Sequence, residues 1–333
     1  MLTYRLYYSI KPLIPRPLQL FIRRSVVCWK RNSHRHIWPI DFEADRIPEG
    51  WVGWPGQKQF ALALHHDVDT FKGHEKCRGL MELEGKMGFR SSFNFVPERY
   101  PVSPDLRQSL VEKGFEVGVH GLKHDGKLFL SRKEFHKEAI RIRHYLSDWQ
   151  SVGFVSPSMY RNLDWICELG IEHDTSTFDT DPFEPQPEGV GTIFPFWVAA
   201  TRNPLPPIHN RELVTRNPEP ITGLHSGFVE LPYTLPQDFT LFILMKEKNI
   251  DIWKKKLDWI AEKGGMALLI AHPDYMNGKN RECGIEEYPM KFYEELLDYV
   301  RTKYKGQYWH ALPKEIAQFW KEKMVPPQLS KST

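Results

Sequence analysis

Cysteine is scarce in this 333-residue chain: Cys28, Cys77, Cys167 and Cys283 lie far apart, with no CxxC pair among them. Neither a disulfide framework nor a thiolate zinc site is suggested, and free thiols fit a reducing compartment. No stretch approaches the roughly 18 apolar residues that a membrane-spanning helix needs. Lys11, Pro15, Arg16 and Pro17 interrupt the place where the apolar core of a cleaved leader would lie. The expectation is therefore a cytoplasmic protein without a leader. The net charge of only +3 supplies no general affinity for nucleic acid. There is no Gly-rich dinucleotide loop, no internal repeat and no low-complexity run.

What is present is the composition of a folded protein, 41% hydrophobic and 26% charged, long enough to bury a full core. Aromatic residues make up 13%, with 11 Trp. Sugar clefts use such rings, but a large core uses them too and is the home expected for most. Short apolar runs recur at 60–66, 91–95, 115–119, 153–155, 171–174, 227–231, 266–271 and 308–312. Between them come helical patterns at about 73–87, 104–113, 131 onward, 162–169, 251–263 and 286–303. Ser131 with Glu134 reads as a capping box. Strands alternating with helices at this pace predict a parallel α/β sheet, and a β/α barrel would bring distant strand ends to one face.

Those strand ends carry the chemistry. Phe60-Ala-Leu-Ala-Leu64 runs into His66-Asp67-Val68-Asp69, Phe115-Glu-Val-Gly-Val119 into His120 with His124 four further on, and Met266-Ala-Leu-Leu-Ile-Ala271 into His272. Ionisable groups at a buried edge need partners. Two carboxylates two apart, joined by two imidazoles four apart, suit a divalent first-row metal. Each motif alone is weak, since DxD also occurs in Asx turns and a lone histidine can be a core residue. Together, in strand-end context, they predict a metal-dependent hydrolase. His65 and His66 flank the motif, and alternation lets at most one of them face the site with Asp67 and Asp69.

Three parts are expected along the chain: an arm at 1–57, a barrel at 58–320 and a tail at 321–333. The arm holds a basic amphipathic segment at 17–31, in which Leu18, Ile22, Val26 and Trp29 share a helical stripe beside Arg23, Arg24, Lys30 and Arg31. That pattern fits a helix on an anionic membrane surface, and it fits equally a helix packed on the body of the protein. The barrel carries a long insertion at 182–226 with nine prolines. Its cluster of Phe183, Phe194, Phe196 and Trp197 predicts an ordered flap beside the site.

Across roughly residues 58 to 320, five ordered segments resemble the polysaccharide deacetylases, also called carbohydrate esterase family 4 or the NodB-homology domain. The resemblance implies an irregular seven-stranded (β/α) barrel that removes acetyl groups from N-acetylated carbohydrates with zinc, or with cobalt or nickel. It implies Asp67 as catalytic base and Asp69, His120 and His124 as metal ligands. It implies His272 as the acid that protonates the departing amine, with Asp174 as the aspartate that tunes it. The groove-lining Arg-x-Pro element corresponds to Val155-Ser156-Pro157, and a backbone N–H near Tyr160 would share the oxyanion charge. Trp197 of the flap and Arg161 are further substrate contacts. The departure is Val155, because the family arginine pairs with the base aspartate. Arg161 or Arg90 would have to reach in, unless the protein is a catalytically silent glycan binder of the same fold. A metal-dependent amidase for a non-sugar amide is the other alternative. The sugar, the acyl group and the oligomeric state are not legible.

Overall fold

The computed structural model describes residues 14–200, 227–278 and 282–325. Strand β1, Phe60–Val68, is its axis, and all nine of its residues are buried. A strand buried on both faces needs no alternation, which is why Phe-Ala-Leu-Ala-Leu reads as a continuous apolar run. Beside it lies β2 (Ser92–Phe95), then β3 (Glu116–His120), β4 (Gly153–Val155) and β5 (His173–Asp174), all parallel.

Next comes a hairpin. Strand β6 (Phe196–Ala199) pairs antiparallel with β7 (Gly227–Glu230), and β7 runs parallel to β5. On the other edge of β1 lies β8 (Met266–Ala271), in register from Ala61↔Met266 to His66↔Ala271. The sheet curls until its ends meet: the chain just after β7 bridges β8 at Leu235↔Leu269. Seven parallel strands therefore make an irregular barrel closed by that single bridge. Three small strands complete the set: a pair, β9 (Met276–Asn277) and β10 (Tyr288–Pro289), and β11 (Tyr308–His310), which borders the first half of β1.

The longer helices are α1 (Arg16–Ser33), α2 (Cys77–Met87), α3 (Pro104–Glu112), α4 (Arg132–Asp148), α5 (Asp251–Lys263), α6 (Lys291–Lys303) and α7 (Pro313–Met324). Ser103 and Ser131 cap α3 and α4, each hydroxyl accepting a backbone N–H of the first turn. The expected tail boundary at 320 falls inside α7, whose Ile316, Ala317 and Trp320 are buried. Trp320 packs with Trp51 and Trp54 of the arm, and Trp51 also meets Phe194. The arm is thus part of the barrel's own core.

The insertion behaves differently from the expected flap. Phe183 lines the cleft described below. Ile193 instead bonds by its carbonyl to Met266 at the start of β8, and Phe194 is fully buried. Phe196 and Trp197 lie in β6, and residues 201–226 fall outside the described residues.

Helix α1 forms where the stripe predicted it, docked on the barrel by its basic residues and by Leu20 and Val27, both buried. Arg16 pairs with Glu286, and Arg31 with Glu247 at 2.6 Å. Arg24 donates to the carbonyls of Ile243 and Ile285, and Lys30 to that of Pro182. Leu18, Ile22, Val26 and Trp29 point outward, together with Phe21. The cations expected beside the stripe lie beneath it. No described helix is long and apolar enough to cross a membrane.

Candidate metal centre and catalytic cleft

The C-terminal ends of β1, β3 and β8 open into one cleft of about 1210 Å³, whose walls include Asp67, Asp69, His120, His124 and His272. Residues some 200 positions apart meet there because parallel strands present all their C-terminal ends on one side. Period-two alternation turns Asp67 and Asp69 the same way, along with His65. His66 faces outward, bonded to Glu84 at 2.6 Å among the helices.

Asp69 Oδ1 lies 3.3 Å from His120 Nε2 and 3.2 Å from His124 Nε2. The set passes a direct test as a cation site. Two ligand atoms each about 2.0–2.1 Å from a tetrahedral ion lie about 3.3 Å apart, so Asp69 Oδ1 stands at ligand spacing from both imidazoles, and all three atoms lie within 4.8 Å of one another. His120 Nδ1 sits 3.2 Å from the Val155 carbonyl, which accepts its N–H and leaves Nε2 a lone pair for the ion. Asp274 fixes the carboxylate side: its Oδ2 accepts the Asp69 backbone N–H at 3.0 Å and its Oδ1 accepts the Thr70 hydroxyl. His124 hangs from a tight loop that requires Gly121 at φ +60°. A Cβ there would come within 2.5 Å of Pro157. Burial opposes ionisation of Asp69, yet His124 and His120 hold its carboxyl well below the usual carboxylate range.

Asp67 is 3.9 Å from His120 and hydrogen-bonded to His65 Nε2 at 2.8 Å. Burial opposes its ionisation too, but His120, and then His65 by charge and hydrogen bond, bring its pKa down to about 2. His65, and not an arginine, is therefore the hydrogen-bond partner of Asp67. Burial holds its imidazole below the ordinary value against the pull of Asp67, which makes it a neutral donor rather than a cation. Asn94 lies beside the ring with its amide donating to the His66 carbonyl at 3.2 Å, and Gly118 makes the room, because a Cβ at 118 would lie 1.8 Å from Asn94 Oδ1. Neither arginine proposed for this role reaches Asp67. Arg90 bonds Gly114 and Glu315, whereas Arg161 bonds the Met159 and Glu188 carbonyls and stacks on Phe178. Replacing His65 by Ala is expected to lower kcat about 10–100-fold with KM little changed, and His65→Gln to recover part of it. Steady-state kinetics on metal-loaded protein checks this.

His272 Nδ1 lies 2.7 Å from Asp238 Oδ1, and the His272 backbone N–H donates to Asp238 Oδ2 at 2.8 Å. The Tyr288 hydroxyl adds a third donor at 3.0 Å, and Asp238 is wholly buried. Burial disfavours the imidazolium, but Asp238, with Asp69 and Asp67 behind it, raises His272 to about 10. The aspartate that partners His272 is Asp238, whereas Asp174 makes no hydrogen bond to it. Asp174 ends β5 and accepts the Ser176 hydroxyl at 2.7 Å, with burial pushing its carboxyl up to about 6. The only sequence signal for Asp238 was an acid at the head of the apolar run Phe239–Leu244, just after a strand.

The other expected substrate contacts stand apart from the cleft. Pro157 and Tyr160 border a small hollow behind His124, and the Tyr160 backbone N–H is spent on the Pro157 carbonyl at 3.3 Å. Trp197 pairs across the hairpin with Val229. The cleft wall has Ser158 and Met159 in their place.

No family model matches the sequence, and no curated protein does. Among solved structures, a protein assigned as a polysaccharide deacetylase from Mycobacterium smegmatis superposes with a TM-score of 0.60 at 17% identity, over 86% of this chain and 98% of that one. The chain has the irregular (β/α) barrel fold of the polysaccharide deacetylases. A second protein so assigned, from Pseudomonas aeruginosa PAO1, gives 0.58 at 15% identity, over 87% of this chain and 100% of that one. PuuE allantoinase shares the deacetylase fold to the same degree, 0.58 at 15% identity, over 87% and 99%. At such identities the likeness is one of fold.

Proposed function

We propose that this protein is a divalent-metal-dependent carbohydrate deacetylase that hydrolyses the N-acetyl amide of a sugar. The observation that carries the reading is the convergence of Asp67, the Asp69–His120–His124 set and the His272–Asp238 pair on one cleft. Asp69, His120 and His124 would hold the ion, zinc or else cobalt or nickel. When bound, it acidifies water and polarises the amide carbonyl. Asp67, ionised and oriented by His65, accepts the water's proton. His272, held protonated by Asp238, donates to the nitrogen of the departing amine, which leaves poorly as an anion. The acetyl group goes to acetate and the sugar keeps a free amine. The likeness to PuuE allantoinase supports a second reading on the same chemistry, hydrolysis of a non-sugar amide. We place the enzyme on the cytoplasmic side of a membrane, in peripheral contact through α1.

The test is acetate release from a panel of N-acetylated sugars, with allantoin alongside, on protein stripped of metal and reloaded with zinc, cobalt or nickel. Turnover restored by metal is expected on a sugar. His120→Ala is expected to lose both turnover and the bound ion, measured by calorimetry. Hydrolysis of allantoin alone would favour the second reading. Glycan binding without any release would make the protein a silent member of this fold and overturn the proposal.

A further inference from the structure

Helix α1 has two apolar sides. Its charges hold it to the barrel together with buried Leu20 and Val27, while a second apolar side faces out: Trp29 is 69% exposed and Phe21 66%, with Leu18, Ile22 and Val26 beside them. A contiguous apolar face of this kind marks an interaction surface. Val26 belongs both to that face and to the wall of the catalytic cleft, which α1 also lines with Arg16, Gln19, Arg23 and Lys30. The apolar face and the cleft mouth therefore border one another. Ile285, exposed and tied to α1 through Arg24, extends the patch.

The apolar face together with the charge around it identifies the occupant. The first forty residues hold eight Lys or Arg and no acid, in a chain of net charge +3, so the remainder is at −5. Lys72 and Arg99 join Arg16, Arg23 and Lys30 around the cleft; Lys72 pairs with Glu287 and Arg16 with Glu286, whereas Arg23 has no ion-pair partner among the described residues. Trp and aliphatic side chains beside a basic rim match the layered chemistry of a bilayer interface, acyl chains below and phosphates above. We propose that the outward face of α1 seats the enzyme on a lipid bilayer with the cleft mouth at headgroup level. The cleft then takes a sugar carried on a membrane lipid through an anionic linkage. The sugar rests on the deacetylase reading, and the seat does not.

The experiment is flotation of the full chain with neutral phosphatidylcholine vesicles and with vesicles that also contain phosphatidylglycerol. Binding to both is expected, with only a modest loss in high salt, because most α1 cations are engaged by the barrel. The triple variant Phe21→Ser, Ile22→Ser, Trp29→Ser is expected to weaken binding at least about tenfold. Val111→Ser, exposed elsewhere, is the control. An environment-sensitive dye on Phe71→Cys beside the cleft, in a Cys28→Ser, Cys283→Ser background, is expected to report an apolar shift on vesicles; the same dye on Val111→Cys is not. No flotation by the wild type, or equal flotation by the triple variant, would overturn the seat. So would a wild-type dimer that the triple variant converts to monomer in sedimentation, since the face would then belong to a second copy. Equal or faster turnover of a water-soluble N-acetyl sugar than of a polyprenyl phosphate-linked one in vesicles would overturn the substrate class. The vesicle measurements need no turnover, so they stand whatever the fate of the deacetylase reading.

Discussion

Asp67→Asn is expected to reduce kcat by about 10³-fold while metal content and affinity stay as in the wild type. The size follows from losing a positioned proton acceptor, an effect of about 10²–10⁴. The spared metal follows from the geometry: Asp69 Oδ1 lies 3.2–3.3 Å from both His120 Nε2 and His124 Nε2, whereas Asp67 is 3.9 Å from His120 and spends Oδ1 on His65. Asparagine keeps the shape and can still meet His65, so the fold is retained. Calorimetry with zinc beside single-turnover kinetics makes the measurement. If Asp67→Asn lost the ion, the two aspartates would have to exchange roles.

Asp238→Asn is expected to be nearly as damaging, with a signature of its own. Asp238 is the charge that brings His272 to about 10 against the penalty of burial. As the acid, His272 works only while protonated, and activity falls as pH rises through its pKa. Neutralising Asp238 lowers that pKa, so the alkaline limb of the pH–rate profile moves to lower pH and kcat drops about 10²-fold or more. Asp174→Asn, by contrast, is expected to leave the alkaline limb in place, because Asp174 bonds Ser176 and does not touch His272. A shift of that limb in Asp174→Asn, with none in Asp238→Asn, would restore the sequence-based assignment.

The difference between these two aspartates shows where sequence reading ran out. Apolar runs ending in ionisable residues were legible because a strand buried on both faces must be apolar, and its polar groups must gather at its end. Asp238 has no such mark. It lies beyond β7, 34 residues before His272, and meets it only because the barrel closes at Leu235 and Leu269. Alternation lets at most one of His65 and His66 face the site, without saying which partner that one finds. Arg161 and Arg90 had the right charge, but a long side chain goes where nearby carbonyls and carboxylates draw it. Trp197 was judged by composition and lies in a hairpin instead.

Legible in the sequence were the parallel α/β sheet, the places of the Asp-x-Asp and paired-histidine segments at its strand ends and the helical stripe at 18–29, with the barrel implied by the family resemblance. Sheet, strand ends and stripe follow from local periodicity, which records how a segment must bury itself. Tertiary structure alone decided that His65 and not an arginine orients Asp67, that Asp238 and not Asp174 holds His272, and that α1 lays its cations on the barrel and its apolar side outward. Such pairings depend on which acceptors face a side chain across the fold. Periodicity gives the direction of a face, while the chemistry of what lies opposite chooses its partner.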